Sequence, residues 1–244
     1  MNENVTFFNG LLREHIGFER LGFHEVENDM YSNSWKLIRL KNDKIDKIIY
    51  SFSKDKWGDD LILHTISASI IFDSVNAILW NVLNEERYLP ENHENTIIRF
   101  PCFDQESDKY VQQIRDLVFV EKRIVNEIIF NKALGVFKEQ LETSVLPFFD
   151  KIQTLQEIND EILEKCDWKE WYKYISGLHG VHYFKSIIIL KLCNNEKRYN
   201  EFTEMYSNLV LDAINNGRTE LKELYHNLMV LINYLNNDTH LEIV

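Results

Sequence analysis

His179 and His182, in the stretch GLHGVHYF, are the closest pair of histidines in the sequence. On a helix, residues three apart share one face, a spacing that two metal-bound imidazoles could use. No third ligand stands near them, and Gly180 between them argues against a helix across the pair. A helix junction with two polar aromatics accounts for the same residues, so no metal is expected. His64 lies in an alternating apolar stretch, where a hydrogen-bonded strand histidine is a simpler reading than a catalytic imidazole. Cys102, Cys166 and Cys193 form no CxxC pair, and none has a histidine close by in sequence. Isolated thiols of this kind fit a reducing compartment.

Other signatures of catalysis are absent from the sequence. There is no Gly-rich phosphate loop, dinucleotide fingerprint, GxSxG elbow or HExxH. The residue types therefore name no catalytic group and no cofactor, and they offer charge and aromatic surface instead. Glu157, Asp160, Glu161 and Glu164 are spaced so that most fall on one helical face. They form either a solvated face near a helix N-terminus, where acids are favourable, or a stripe that binds a partner. In CDWKEWYKY, Trp168, Trp171 and Tyr172 stand at i, i+3 and i+4, a spacing that predicts packing between helices. In KDKWGDD, Trp57 sits at a turn with Asp55, Asp59 and Asp60 around it, and Gly58 supplies the backbone freedom. The indole either folds back over the sheet or stands out as a rigid anchor with ionic steering around it.

The elements that position these residues follow from periodicity. Val5, Phe8, Leu12 and Ile16 predict a helix from about Asn4 to Arg20, stopped by Gly22. A short strand from Phe23 to Glu27 and a second from Ser34 to Lys41 follow. KIIYSFSK alternates Ile48, Tyr50 and Phe52 against Ser51 and Ser53. DLILHTISASIIF continues the pattern, with Ile62, His64, Ile66, Ala68 and Ile70 on one face. After Phe72 the period becomes helical, with Val75, Ile78, Leu79 and Val82 inward. NTIIRFPCF predicts a late strand, and Lys109 to Thr143 a helical stretch that buries Ile124, Ile128, Val136, Phe137 and Leu141. Pro147 ends or kinks a helix, and Thr154 with Glu157 forms a capping-box pattern that starts another near Leu155. The remainder reads as packed helical hairpins, including an inward stripe of Tyr199, Phe202, Tyr206, Leu209 and Ala213. The expected fold is α+β: an N-terminal helix and an antiparallel sheet of four to five strands with packed helices, then an all-helical half. The expected division is an α+β domain over 1–150 and a helical domain over 151–244.

Composition bounds the partners. The chain has 244 residues, 45% hydrophobic and 27% charged, with 8 Gly and 3 Pro, which is globular and without a flexible linker. A net charge of -12 disfavours phosphate backbones and anionic lipid surfaces. It suits solubility, and equally a surface complementary to a basic protein. No basic region followed by an apolar core opens the sequence, and its longest apolar run, SIIILKL, is too short to span a bilayer. The expected location is the cytoplasm.

The helix ending in Gly22–Phe23, the Trp-led strand and the later LPFFD of Leu146 to Asp150 resemble the bacterial domain-of-unknown-function family 4304 over roughly residues 1–160. That resemblance implies a small cytosolic protein of the immunity type, which neutralises a secreted toxin, and it implies no catalytic residues. The sequence thus leads to a non-enzymatic inhibitor that covers a basic toxin domain with an acidic surface of Trp57, Asp55, Asp59, Asp60, Glu157, Asp160, Glu161 and Glu164. The alternative is an enzyme or small-ligand binder with a cleft between the sheet and the long helix, using His64 and Cys102.

Overall fold

The computed structural model of the chain describes residues 3–29, 33–54, 61–64, 66–83, 97–99, 127–177 and 180–237. The fold is α+β, with an N-terminal helix, four strands paired antiparallel and a largely helical C-terminal half. Two compact units divide the chain: Met1–Ser69 with Phe100–Lys151, and Ile70–Arg99 with Ile152–Val244. The second unit takes in Ile70–Arg99, a segment that the sequence reading places in its first domain.

In the first unit, helix α1 (Glu3–Ile16) buries Val5, Phe8 and Leu12. It stops earlier than the spacing predicts, because Gly17 takes a left-handed conformation at φ 66°. A 3-10 turn over Phe18–Leu21 follows, and Gly22 at φ 83° closes it, with its N–H on the Glu19 carbonyl at 3.0 Å. Strands β1 (His24–Asp29), β2 (Ser34–Lys41) and β3 (Lys44–Lys54) then pair antiparallel, and β4 (Leu61–Leu63) pairs with β3. The β2–β3 hairpin turns at Asn42, whose φ of 54° is the left-handed conformation that short hairpins need.

Strand parity builds the core of this unit. Trp35 and Leu37 from β2 and Ile48, Tyr50 and Phe52 from β3 are all buried. The Tyr50 ring stacks between Phe18 and Trp35, at 5.7 and 5.6 Å, and its hydroxyl donates to Asn9 Oδ1 at 2.9 Å. Helix α3 (Glu127–Gln140) adds Ile129, Phe130, Ala133, Leu134 and Phe137. Its buried face lies one residue round from the expected one. Ile128 is 69% exposed, because the stripe Phe130, Ala133, Phe137 and Leu141 keeps the 3.6-residue period and Ile128 falls off it; Ile124 lies outside the described residues. The chain then passes Pro147 by widening. Residues Leu141–Val145 form a π turn, in which the Leu146 N–H reaches back five residues to Leu141, and α4 (Leu146–Lys151) continues to Lys151.

Strand β5 (Ser67–Phe72) is separate from β4, and its residues from Ala68 onward are all buried, so both faces are covered. Within the second unit, the Ile97 N–H donates to Ile70 at 2.8 Å, and β6 (Ile98–Arg99) bridges to Ile175. Helix α2 (Asp73–Leu83) buries Val75, Ile78, Leu79 and Leu83. The Thr154 capping box is formed as the sequence predicts and opens α5 (Leu155–Ile158), which runs into a second π turn over Asn159–Leu163. Helix α6 (Val181–Leu192) is buried on nearly every side from Phe184 to Leu190 and packs against α2, α7 (Glu196–Asn215) and α8 (Lys222–Asn236). On α7 the inward stripe is Tyr199, Phe202, Thr203, Tyr206 and Val210, and Leu209 is 50% exposed. No helix among the described residues is long and apolar enough to cross a membrane.

Candidate functional site

The acidic stripe is built from the capping box outward. Glu157 accepts from the backbone N–H of Gln153 and, at 2.9 Å, from that of Thr154, so its carboxylate is held at the start of α5. The π turn that follows buries Asn159 and leaves Asp160, Glu161 and Glu164 exposed. One oxygen of Asp160 accepts from Gln156 at 2.7 Å and from Asn159 at 2.8 Å. Glu161 pairs with Lys165 at 2.7 Å, and Glu164 accepts from the Asn195 side chain. Asn195 is also the N-cap of α7 and donates to Asn159 at 2.9 Å. Each of the four acids thus has at least one hydrogen bond or ion pair to a nearby residue. Trp57, Asp55, Asp59 and Asp60 lie outside the described residues.

A second charged cluster was not singled out in the sequence. In β3, Lys44 and Asp46 share the parity of Ile48 and Tyr50, and both are buried. Asp46 accepts from Arg39 Nε at 2.9 Å and Nη2 at 2.7 Å, and its other oxygen lies 2.7 Å from Lys44 Nζ. That last contact is a close, buried ion pair. Lys44 Nζ also donates to the Phe149 carbonyl at 2.5 Å. Burial lowers the Lys44 pKa from its ordinary value, and Asp46 opposes the shift. Parity alone could have found this pair: a strand whose alternate residues are apolar places Lys44 and Asp46 on the buried face.

The nucleophiles and histidines do not converge among the described residues. The His64 ring is exposed and bonds Ser53 Oγ at 2.7 Å across the β3–β4 pair, and partial desolvation lowers its pKa. His182 Nδ1 lies 3.2 Å from the Gly177 carbonyl, and burial lowers the His182 pKa as well. His179 and Cys102 lie outside the described residues. Cys193 is a free thiol pushed up to about 11 by burial, with Asp160 adding to the shift. Among the described residues, no group of three or more His, Cys, Asp or Glu could hold a metal ion. A cavity of about 300 Å³ at the end of α1 is lined by Arg13, Glu14, Gly17, Phe18, Glu19 and Arg20. Its Arg13 is already paired with Glu25 and, at 3.6 Å, with Glu19.

The aromatic run splits. The 3-10 helix Trp168–Lys173 buries Trp171 completely and leaves Tyr172 60% exposed. The single helical face expected of Trp168, Trp171 and Tyr172 is not formed, because a 3-10 helix aligns residues three apart and turns the fourth away. Comparison of the chain with family models, with curated proteins and with solved structures finds no match in any of the three.

Proposed function

We propose that this protein is a non-enzymatic protein-binding module, an immunity-type inhibitor that covers a basic toxin domain with an acidic surface. The observation that carries the reading is how the charges are sorted by depth. Among the described residues, the buried ionic side chains are Lys44, Lys47 and Lys185 against one acid, Asp46. More cations than carboxylates are buried among the described residues, which leaves their exposed charge more acidic than their total. Such a surface accelerates encounter with a basic protein and needs no reactive group. The stripe Glu157, Asp160, Glu161 and Glu164 belongs to it, and Trp57 with Asp55, Asp59 and Asp60 is assigned to it from the sequence. The resemblance of Gly22–Phe23 and LPFFD to an immunity-like family points the same way.

The test is co-expression with the product of the adjacent gene, together with capture of that product by the purified protein. Restored growth and a complex that weakens as salt is raised support the reading. A product that neither binds nor is neutralised overturns it.

A further inference from the structure

Two side chains of α6, three residues apart, hold consecutive carbonyls of the segment that precedes the helix. His182 Nδ1 lies 3.2 Å from the Gly177 carbonyl, and Lys185 Nζ donates to the Ser176 carbonyl at 2.5 Å. The segment is fixed from its other side as well. Ile175 bridges to Ile98, and the Ser176 N–H donates to the Ile97 carbonyl at 2.7 Å. The chain passes so close to the start of α6 that a Cβ at Gly177 would collide with the His182 backbone nitrogen. The two side chains thus link α6 to the segment that pairs with β6.

A carbonyl oxygen only accepts, so in the neutral ring Nδ1 carries the proton and Nε2 carries none. Nε2 is buried, and among the described residues it has no hydrogen-bond partner. Tyr183 on α6 lies 3.9 Å from the His182 ring, and Tyr172 on the 3-10 helix lies 6.5 Å away. Lys173 of that helix is turned to its own partner, Glu170. Tyr206 of α7 packs on Tyr183 at 4.6 Å, and α8 sets Leu224 beside Gly180. The charge that acts on the ring is that of Lys185, and no carboxylate among the described residues opposes it. A proton on Nε2 would therefore create a buried donor without an acceptor, and would set two cations three apart on one helix. Both are unfavourable.

We propose that His182 is an acid-sensitive clasp, which fastens the Ser176–Gly177 segment to α6 when neutral and releases it with the first turn of the helix when protonated. Opening lets the new charge reach water. The His182 pKa agrees: burial lowers it, Lys185 adds to the shift and the Gly177 bond opposes it. Below the ordinary value of 6.5 the open segment binds the proton before the closed one does. Closure is therefore undisturbed above 6.5 and weakens as pH falls below it. The device does not depend on what the protein binds.

The experiment follows amide exchange, corrected for its intrinsic pH dependence, and the His182 ring by NMR of the full chain from about pH 8 to about pH 5. The Tyr183 and Phe184 amides, which bond the Gly180 carbonyl, should lose protection as pH drops below 6.5, by up to about tenfold per pH unit, the limit for one linked proton. The Phe202 and Tyr206 amides of α7 should keep theirs. His182→Asn retains a donor for Gly177 without the titration, so the loss should vanish. The parent's ring needs no variant: it should take its second proton below 6.5 and carry the first on Nδ1. Protection that is flat with pH, an equal loss across α7, or a loss that persists in folded His182→Asn overturns the clasp. So does a ring that titrates at or above 6.5, or one whose neutral form is protonated on Nε2.

Discussion

Arg39 places two hydrogen bonds on a single oxygen of Asp46, from Nε at 2.9 Å and from Nη2 at 2.7 Å. The same guanidinium lies 4.7 Å from the Phe23 ring centroid and 5.7 Å from that of Phe149. The two rings stand 5.8 Å apart. Gly22–Phe23 and LPFFD, distant in sequence, thus meet around one buried ion cluster in the first unit. Lys44 completes it by bonding the Phe149 carbonyl, so the β2–β3 hairpin and α4 are joined through charge as well as apolar contact.

Removing the shared anion should be costly. Asp46→Asn leaves the buried Lys44 cation and a nearly buried Arg39 without their counter-charge, a change worth about 3–5 kcal/mol when one partner of a buried pair is lost. Chemical denaturation measures it. A loss well below ~1 kcal/mol would mean that the two cations find other partners or reach water.

Lys44 gives a pH dependence of defined sign. Its folded-state pKa is lowered from the ordinary value of 10.5, chiefly by burial. As pH rises through the depressed value towards 10.5, the folded chain releases this proton before the unfolded chain does. The unfolded state then binds more protons, and stability from this group rises with pH. The unfolding free energy of the parent, taken relative to Lys44→Met, should therefore climb over that window and level off above 10.5. A flat or falling difference would contradict the assignment.

The strands were legible because burial on one face imposes a period of two, and β2 runs from Ser34 to Lys41 as its alternation predicts. The capping box at Thr154 was legible because both halves of it are local. What the sequence hid was the kind of helix. The π turns after Gln140 and Ile158 and the 3-10 helix at Trp168 depend on tertiary packing, so a fixed 3.6-residue period misplaced Tyr172; Ile128 and Leu209 lie in regular helices, beside the stripe that packing selects for burial. The ties of the stripe's acids to Gln156, Lys165 and Asn195 were not legible, because they depend on rotamers and on a contact 31 residues away.

Gly22→Ala tests the junction between α1 and the sheet. The residue sits at φ 83°, and an added Cβ would come within 3.3 Å of Arg39 Cδ. The left-handed conformation alone costs an L-residue about 1–2 kcal/mol. The crowding of Arg39 adds to it, so the variant should lose more than Gly10→Ala, which meets nothing within 4 Å. Paired urea titrations compare the two.

Cys193 should be a slow thiol. Its pKa is pushed up to about 11 by burial, with the Asp160 carboxylate adding to the effect. The thiolate is the reactive form, so alkylation near neutral pH should run roughly a hundredfold slower than for an ordinary exposed cysteine. Peptide mapping after timed iodoacetamide treatment reads the rate. It should rise with pH towards 11, and Asp160→Asn should speed it by removing the carboxylate's charge.

Trp171 and Tyr172 are adjacent in sequence and should behave as opposites. A 3-10 helix advances three residues per turn, so Trp168, Trp171 and Tyr174 align and Tyr172 turns outward. Trp171 is fully buried, its ring 4.6 Å from Phe202 and 5.8 Å from the Arg198 guanidinium. Trp171→Ala should cost about 3–5 kcal/mol, the range for a large aromatic lost from a core. Tyr172→Ala should stay within about 0.5 kcal/mol, as surface changes do. Trp171 Nε1 is buried without a hydrogen-bond partner among the described residues, so the indole contributes by shape and area. Trp171→Phe should therefore recover a large part of what alanine loses. If Phe were as damaging as Ala while Tyr172→Ala also destabilised the unit, the aromatic run would be acting as one helical face after all.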